Sequence, residues 1–161
     1  MFKAFDNIFH NSFITAKLLE SRHKTVSDII FIMDGSSSAA FTFDRMKEFL
    51  IDVVSRFTTS SRFGVLLSGG DYTKFAIKPQ NDGTSFEDFK SQVGRLGIVG
   101  GDKANLQVSL KDTLHLLKQR DNSAFRKGIP KVFVIFTTSH KNPTGEELTI
   151  VREIESLGKL F

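Results

Sequence analysis

Residues 29–33 read Ile-Ile-Phe-Ile-Met, five apolar side chains without a break, and Asp34-Gly35 closes the run. A strand with one wet face alternates apolar and polar residues. An unbroken run needs cover on both faces, as in the centre of a sheet packed between helices. Residues 132–136, Val-Phe-Val-Ile-Phe, repeat the pattern behind Pro130. Two such strands point to a layered α/β architecture.

The rest of the chain supplies the helices. Phe43, Met46, Phe49, Leu50, Val53, Val54 and Phe57 recur at helical spacing. Residues 63–67 and 72–77 read as two strands joined by a turn at Gly69-Gly70-Asp71, the second ended by Pro79. Phe86, Phe89, Val93 and Leu96 mark a short helix, with Ser85 or Thr84 as its N-cap. A glycine-bearing loop, residues 97–105, precedes a stripe of Leu106, Leu110, Leu114 and Leu117. Leu148, Val151, Ile154 and Leu157 predict a last helix, and residues 159–161 open another strand. The order predicts a mostly parallel, doubly wound sheet with one antiparallel edge strand and helices on both faces. In such sheets ligands bind beyond the carboxyl ends of the strands. The two apolar strands deliver Asp34 and Thr138 to that rim, and the Gly100-Gly101 loop is expected beside both.

Composition narrows the function. The 161 residues suit one domain. Seventeen Phe against one Tyr and no Trp favour a buried core over a base- or sugar-stacking surface. With no cysteine, thiolate sites, disulfides and Cys nucleophiles are excluded. No apolar run is long enough to span a bilayer, and Asp6, Asn7, His10 and Asn11 interrupt any secretory signal at the N-terminus. The net charge of +4 is spread out; its one looser basic group, Arg120, Arg126, Lys127 and Lys131, reads as a solvated loop.

Asp34-Gly35-Ser36-Ser37-Ser38 sets one carboxylate and two hydroxyls around a small space, the oxygen chemistry that hard cations such as Mg²⁺ favour. Gly35 is expected to let the backbone turn sharply there. Residues 28–38, followed by Phe43-Asp-Arg-Met-Lys-Glu-Phe49, resemble the opening of von Willebrand factor A domains, whose integrin relatives are called I domains. Residues 100–110, Gly-Gly-Asp-Lys-Ala-Asn-Leu-Gln-Val-Ser-Leu, resemble the family's second metal loop, and residues 128–137 resemble the strand leading to the third. The resemblance runs from about Ser27 to Phe161. Within the family, the Gly-Gly-x-x-Ala-Asn loop and the Gly-Ile-Pro-Lys strand entry look most like the tandem A modules of collagen VI, especially its α3 chain.

The resemblance implies a metal-ion-dependent adhesion site built from the Asp-x-Ser-x-Ser turn, a loop Thr and a later Asp, with a ligand carboxylate on the open metal position. Asp34, Ser36 and Ser38 match. Ala104 stands at the Thr position and Thr138 at the Asp position, so a direct ligand and a formal charge are lost. Even with Asp102 nearby, the set is a poor cage, expected to hold no cofactor tightly and at most weak Mg²⁺ or Ca²⁺. The turn reads instead as a hydrogen-bonded structure whose hydroxyls satisfy neighbouring amides.

Other chemistry finds little support. His10, His23, His115 and His140 sit in no hydrolase motif that would activate Ser36 or Ser38, and the turn lacks the glycine run and Lys of a phosphate loop. Lys103 and Lys141 read as solvated loop charges. The expectation is a non-enzymatic, secreted adhesion module of an extracellular matrix protein. It would bind matrix or cell-surface proteins, or sister modules, and neither nucleic acid nor the membrane interior. The alternative is an integrin I-domain or matrilin-like module that holds an acidic ligand residue through a weak Mg²⁺ site.

Residues 1–24 are expected to form an amphipathic helix with a linker, carrying Phe2, Phe5, Ile8 and Phe9 near one face, ahead of an A-like domain at 25–161. By the resemblance, that domain lacks the usual last strands and helices. The front helix resembles a closing helix of the family and either docks on the sheet, burying Phe5 and Phe9, or hangs loosely from the domain.

Overall fold

The computed structural model describes residues 26–57, 60–79, 85–118, 125–136, 145–157 and 159–160. The front helix, Thr138, Arg120, Lys141 and three of the four histidines lie outside the described residues.

The run of apolar residues forms β1 (Asp28–Asp34), and every residue of it is buried. A short 3₁₀ turn, Ser37–Ala39, leads into α1 (Ala40–Val54). Next come β2 (Arg62–Gly69), β3 (Tyr72–Ile77), α2 (Phe86–Gly94) and α3 (Leu106–Lys118). Then follow β4 (Lys131–Phe136), α4 (Glu146–Leu157) and β5 (Lys159–Leu160). The strands form one sheet in the order β3-β2-β1-β4-β5. β2 and β4 flank β1 in parallel, β5 runs parallel to β4, and β3 is the antiparallel edge. This is the mostly parallel sheet with one antiparallel edge strand that the pattern predicts.

Period-two alternation divides β1 between two cores. Ile29, Phe31 and Met33 face Phe43, Leu50 and Val53 of α1 and Phe89 and Val93 of α2. Ile30 and Ile32 face Leu110 of α3 and Val151 and Ile154 of α4. Each fully buried side chain of this size contributes about 1.5–3 kcal/mol relative to exposure. Phe31, Phe49, Phe57, Phe63, Phe89 and Phe136 lie in the core as the sequence predicts, linked in ring contacts of 5.5–6.1 Å, whereas Phe86, on the same predicted stripe as Phe89, is 36% exposed.

The helix ends differ from expectation in detail. Ser85 is the N-cap of α2: its hydroxyl accepts from the Asp88 amide at 3.1 Å, and the Asp88 carboxylate accepts from the Ser85 amide in return. Phe57 and Leu96, expected on helices, stand in turns just past them, where their amides close on Val54 and Val93. Both still pack against the core. On the surface, Lys111 and Lys118 of α3 bridge Glu146 and Glu153 of α4 at 2.8 and 2.6 Å. The hydrogen bond and charge of Lys111 hold the Glu146 carboxyl below its ordinary value.

The lower end of the sheet carries an unexpected ion pair. Asp28, fully buried at the start of β1, meets Arg126. One carboxylate oxygen lies 2.8 Å from Nε and 2.6 Å from Nη2, and the other accepts from the Arg126 amide at 2.7 Å. The guanidinium also donates to the carbonyls of Ser60 and Ser27. Arg126 is therefore not a solvated loop charge as its basic neighbourhood suggests, but the counter-ion of a buried carboxylate. Among the described residues, no helix is long and apolar enough to cross a membrane.

Candidate functional site

The upper rim is built where β1 ends. The Gly35 amide donates to the Ser68 carbonyl of β2 at 2.8 Å, and the Gly35 carbonyl accepts from the Val99 amide at 2.8 Å. The chain is thus held on both sides as it leaves the sheet. Gly35 does not have the positive φ that a sharp glycine turn would use. What it provides is space: a methyl there would stand 3.0 Å from the Val99 side chain.

Asp34 is 2% exposed and Ser36 fully buried. Asp34 Oδ1 accepts from the Ser36 amide at 3.0 Å and from the Ser36 hydroxyl at 2.6 Å. The Ser38 hydroxyl lies 2.9 Å from Ser36 Oγ. Since the Ser36 proton goes to Asp34, Ser38 is the donor in that contact. The three candidate ligands therefore come together, in a hydrogen-bonded chain directed from Ser38 through Ser36 to Asp34.

The glycine-bearing loop meets this turn through its backbone. Ser37 and Ser38 donate their amides to the carbonyls of Gly101 and Asp102 at 2.8 and 3.1 Å. Asp102 thus serves the turn by its carbonyl, while the residue itself is exposed. Ala104 forms an isolated bridge to Gly70 at the β2–β3 turn. Asn105 caps α3, accepting from the Val108 amide at 3.2 Å. Beneath α3, the hydroxyls of Ser68 and Ser109 bond to each other, and Thr113 donates to the Ser109 carbonyl at 2.7 Å.

Sequence reasoning missed how the two glycine pairs fit together. Gly69-Gly70 and Gly100-Gly101 are pressed against one another. A methyl at Gly69 would stand 2.5 Å from the Gly100 oxygen, and one at Gly101 would collide with the backbone of Gly70. Gly101 also has φ +79°, a conformation that side chains resist. The doubled Gly-Gly was the available signal; its meaning needed the third dimension.

Among the described residues there is no cluster of three or more His, Cys, Asp or Glu able to hold a metal. The one described histidine, His115, is exposed on α3. If the turn is structural, Asp34→Ala should lower stability by about 1–3 kcal/mol, the usual cost of stranding buried donors. Denaturant melts in EDTA decide this, because a residue serving only as metal ligand would leave the metal-free protein unchanged.

This fold and rim are those of a known class. Residues 28–158 match the model of the von Willebrand factor type A domain, and the chain belongs to that family. Domains of this family are generally adhesion and protein-interaction modules, not enzymes. Among solved structures, the chain is similar to proximal thread matrix protein 1 from the mussel byssus. One crystal form matches with a TM-score of 0.72 and 23% identity over 85% of this chain and 37% of that one. Another structure of that protein, with a zinc-occupied MIDAS motif, matches with a TM-score of 0.71 and 22% identity over 85% and 37%. The chain thus spans little more than a third of the length of those structures, and identities at this level establish the fold.

Proposed function

We propose that this domain is a protein-binding module of an extracellular matrix protein, most like a tandem A module of collagen VI, working without a tightly held metal. It engages matrix or cell-surface proteins, or sister modules, through the rim around Asp34. The observation that supports metal independence is the hydrogen-bonded chain from Ser38 through Ser36 to Asp34, which gives these side chains partners within the turn itself. One carboxylate and two hydroxyls are a weak donor set for Mg²⁺ or Ca²⁺. The loss of oxygen at Ala104 and of charge at Thr138 supports the same reading. The likeness in fold to a thread matrix protein supports the extracellular setting.

Calorimetric titration with Mg²⁺ and Mn²⁺ tests this. The unmodified domain should give no micromolar binding, and Ala104→Thr with Thr138→Asp should create or strengthen a site. Micromolar Mg²⁺ affinity in the unmodified domain overturns the proposal. It would favour a second reading, an integrin I-domain or matrilin-like module holding an acidic ligand residue through a metal. The zinc-occupied motif of the byssus structure supports that reading, as do the retained Asp34, Ser36 and Ser38.

A further inference from the structure

We infer that the rim is one preformed unit and that Val99 is its positioning residue, a wedge whose side chain sets the rim segments in place before any partner arrives. The rim consists of three stretches, residues 34–38, 68–71 and 99–105, far apart in the chain. Val99 stands between the first two. One of its methyl groups, Cγ2, takes the space that side chains at Gly35 and Gly69 would need. A methyl at Gly35 would stand 3.0 Å from it, and one at Gly69 2.6 Å. The Val99 amide donates to the Gly35 carbonyl at 2.8 Å, so backbone holds the wedge as well. Val99 also packs against the core of β1, α1 and α2. It is thus fixed to the interior and reaches two strand ends at once.

Each stretch is bonded to the other two. The Gly35 amide ties the first to Ser68, the Ser37 and Ser38 amides tie it to Gly101 and Asp102, and Ala104 bridges the third to Gly70. The side-chain amide of Asn105 donates to the Asp71 carboxylate at 3.4 Å. Beneath them the Ser68 hydroxyl bonds to Ser109, whose own hydroxyl donates to the Asn105 carbonyl at 3.0 Å. Loops with few such ties open locally at little cost in free energy. Segments tied all round open together or not at all. Ser37, Ser38, Gly101 and Asp102 are nonetheless exposed, so the unit presents a finished surface. A surface already ordered loses little freedom when a partner docks, and more of the contact energy then appears as affinity. That last consequence rests on the protein-binding reading of the rim; the unit itself does not.

Amide hydrogen exchange of the full chain, with no partner present, tests the unit independently of what it binds. The readout is the Ser37 and Ser38 amides, whose bonds go to Gly101 and Asp102 and not to Val99. In the unmodified chain both should exchange about 100-fold or more slower than in an open loop. Val99→Ala empties the wedge and should speed both about 10-fold, the effect of removing two buried carbons. Gly35→Ala crowds the same space and should speed both as well. Gly35 has no positive φ, so alanine is compatible with its backbone. The double variant moves a methyl from one side of the contact to the other. It should return both amides to within about 3-fold of the parent, a rescue that independent sites do not show. Exchange at open-loop rates in the parent overturns the inference. So does a Val99→Ala variant with unchanged Ser37 and Ser38, or a double variant in which the two losses add.

Discussion

Arg126→Ala is expected to lower the unfolding free energy by about 3–5 kcal/mol, because it leaves the Asp28 carboxylate charged and buried without its counter-ion. For a domain of this size, that lowers the melting temperature by roughly 10 °C or more. Asp28 sits at the start of the central strand with no exposed surface, and its oxygens accept from the Arg126 side chain and backbone. Replacing both partners, as in Asp28→Leu with Arg126→Met, removes the buried charge together with its partner. The double variant should therefore be more stable than the single one. Thermal melts of the three proteins check this. A single variant that melts with the parent, or a double variant no better than the single, would count against a buried pair.

Gly101→Ala should be nearly as damaging. The substitution forces a side chain into φ +79° and drives its methyl into the Gly70 backbone, 2.6 Å from Cα. Backbone strain of this type costs about 1–3 kcal/mol, and the collision adds to it because neither glycine backbone can swing aside as a side chain would. Gly128 is the control: its φ is +76°, yet a methyl there meets nothing within 4 Å. Gly128→Ala should cost only the conformational part, about 1–2 kcal/mol. Equal losses in the two variants, read from urea unfolding, would mean that the contact between the glycine pairs contributes nothing.

The sheet was legible in the sequence because its signal is local. The unbroken apolar runs of β1 and β4, five residues long and set off by Gly35 and Pro130, point to central strands, and the helical stripes beside them fixed the layers. The family resemblance also carried the rim, bringing Asp34, Ser36 and Ser38 together. What escaped is non-local. Arg126 lies 98 residues from Asp28, and nothing near it distinguishes it from Lys127, which is exposed. The turn expected at Gly35 follows from the usual habit of glycine, whereas its actual reason is the methyl of a residue in a loop far along the chain. Phe41, which is 98% exposed, falls outside the stripe begun by Phe43, and a lone Phe in a Phe-rich chain carries no mark of exposure.

The position of β1 also bears on the order of events as the chain folds. Its two neighbours lie at very different distances along the chain: β2 follows one helix later, but β4 begins only at Lys131. On the ribosome, β1, α1, β2 and β3 can associate while the other edge of β1 still lacks a neighbour. Until β4 emerges, that edge offers its unpaired backbone groups beside an apolar face, the surface on which nascent chains stick to one another. The buried Asp28 then has a use beyond the finished domain. A carboxylate at the start of the open edge disfavours wrong pairing there and becomes stably buried only when Arg126, just ahead of β4, arrives to neutralise it.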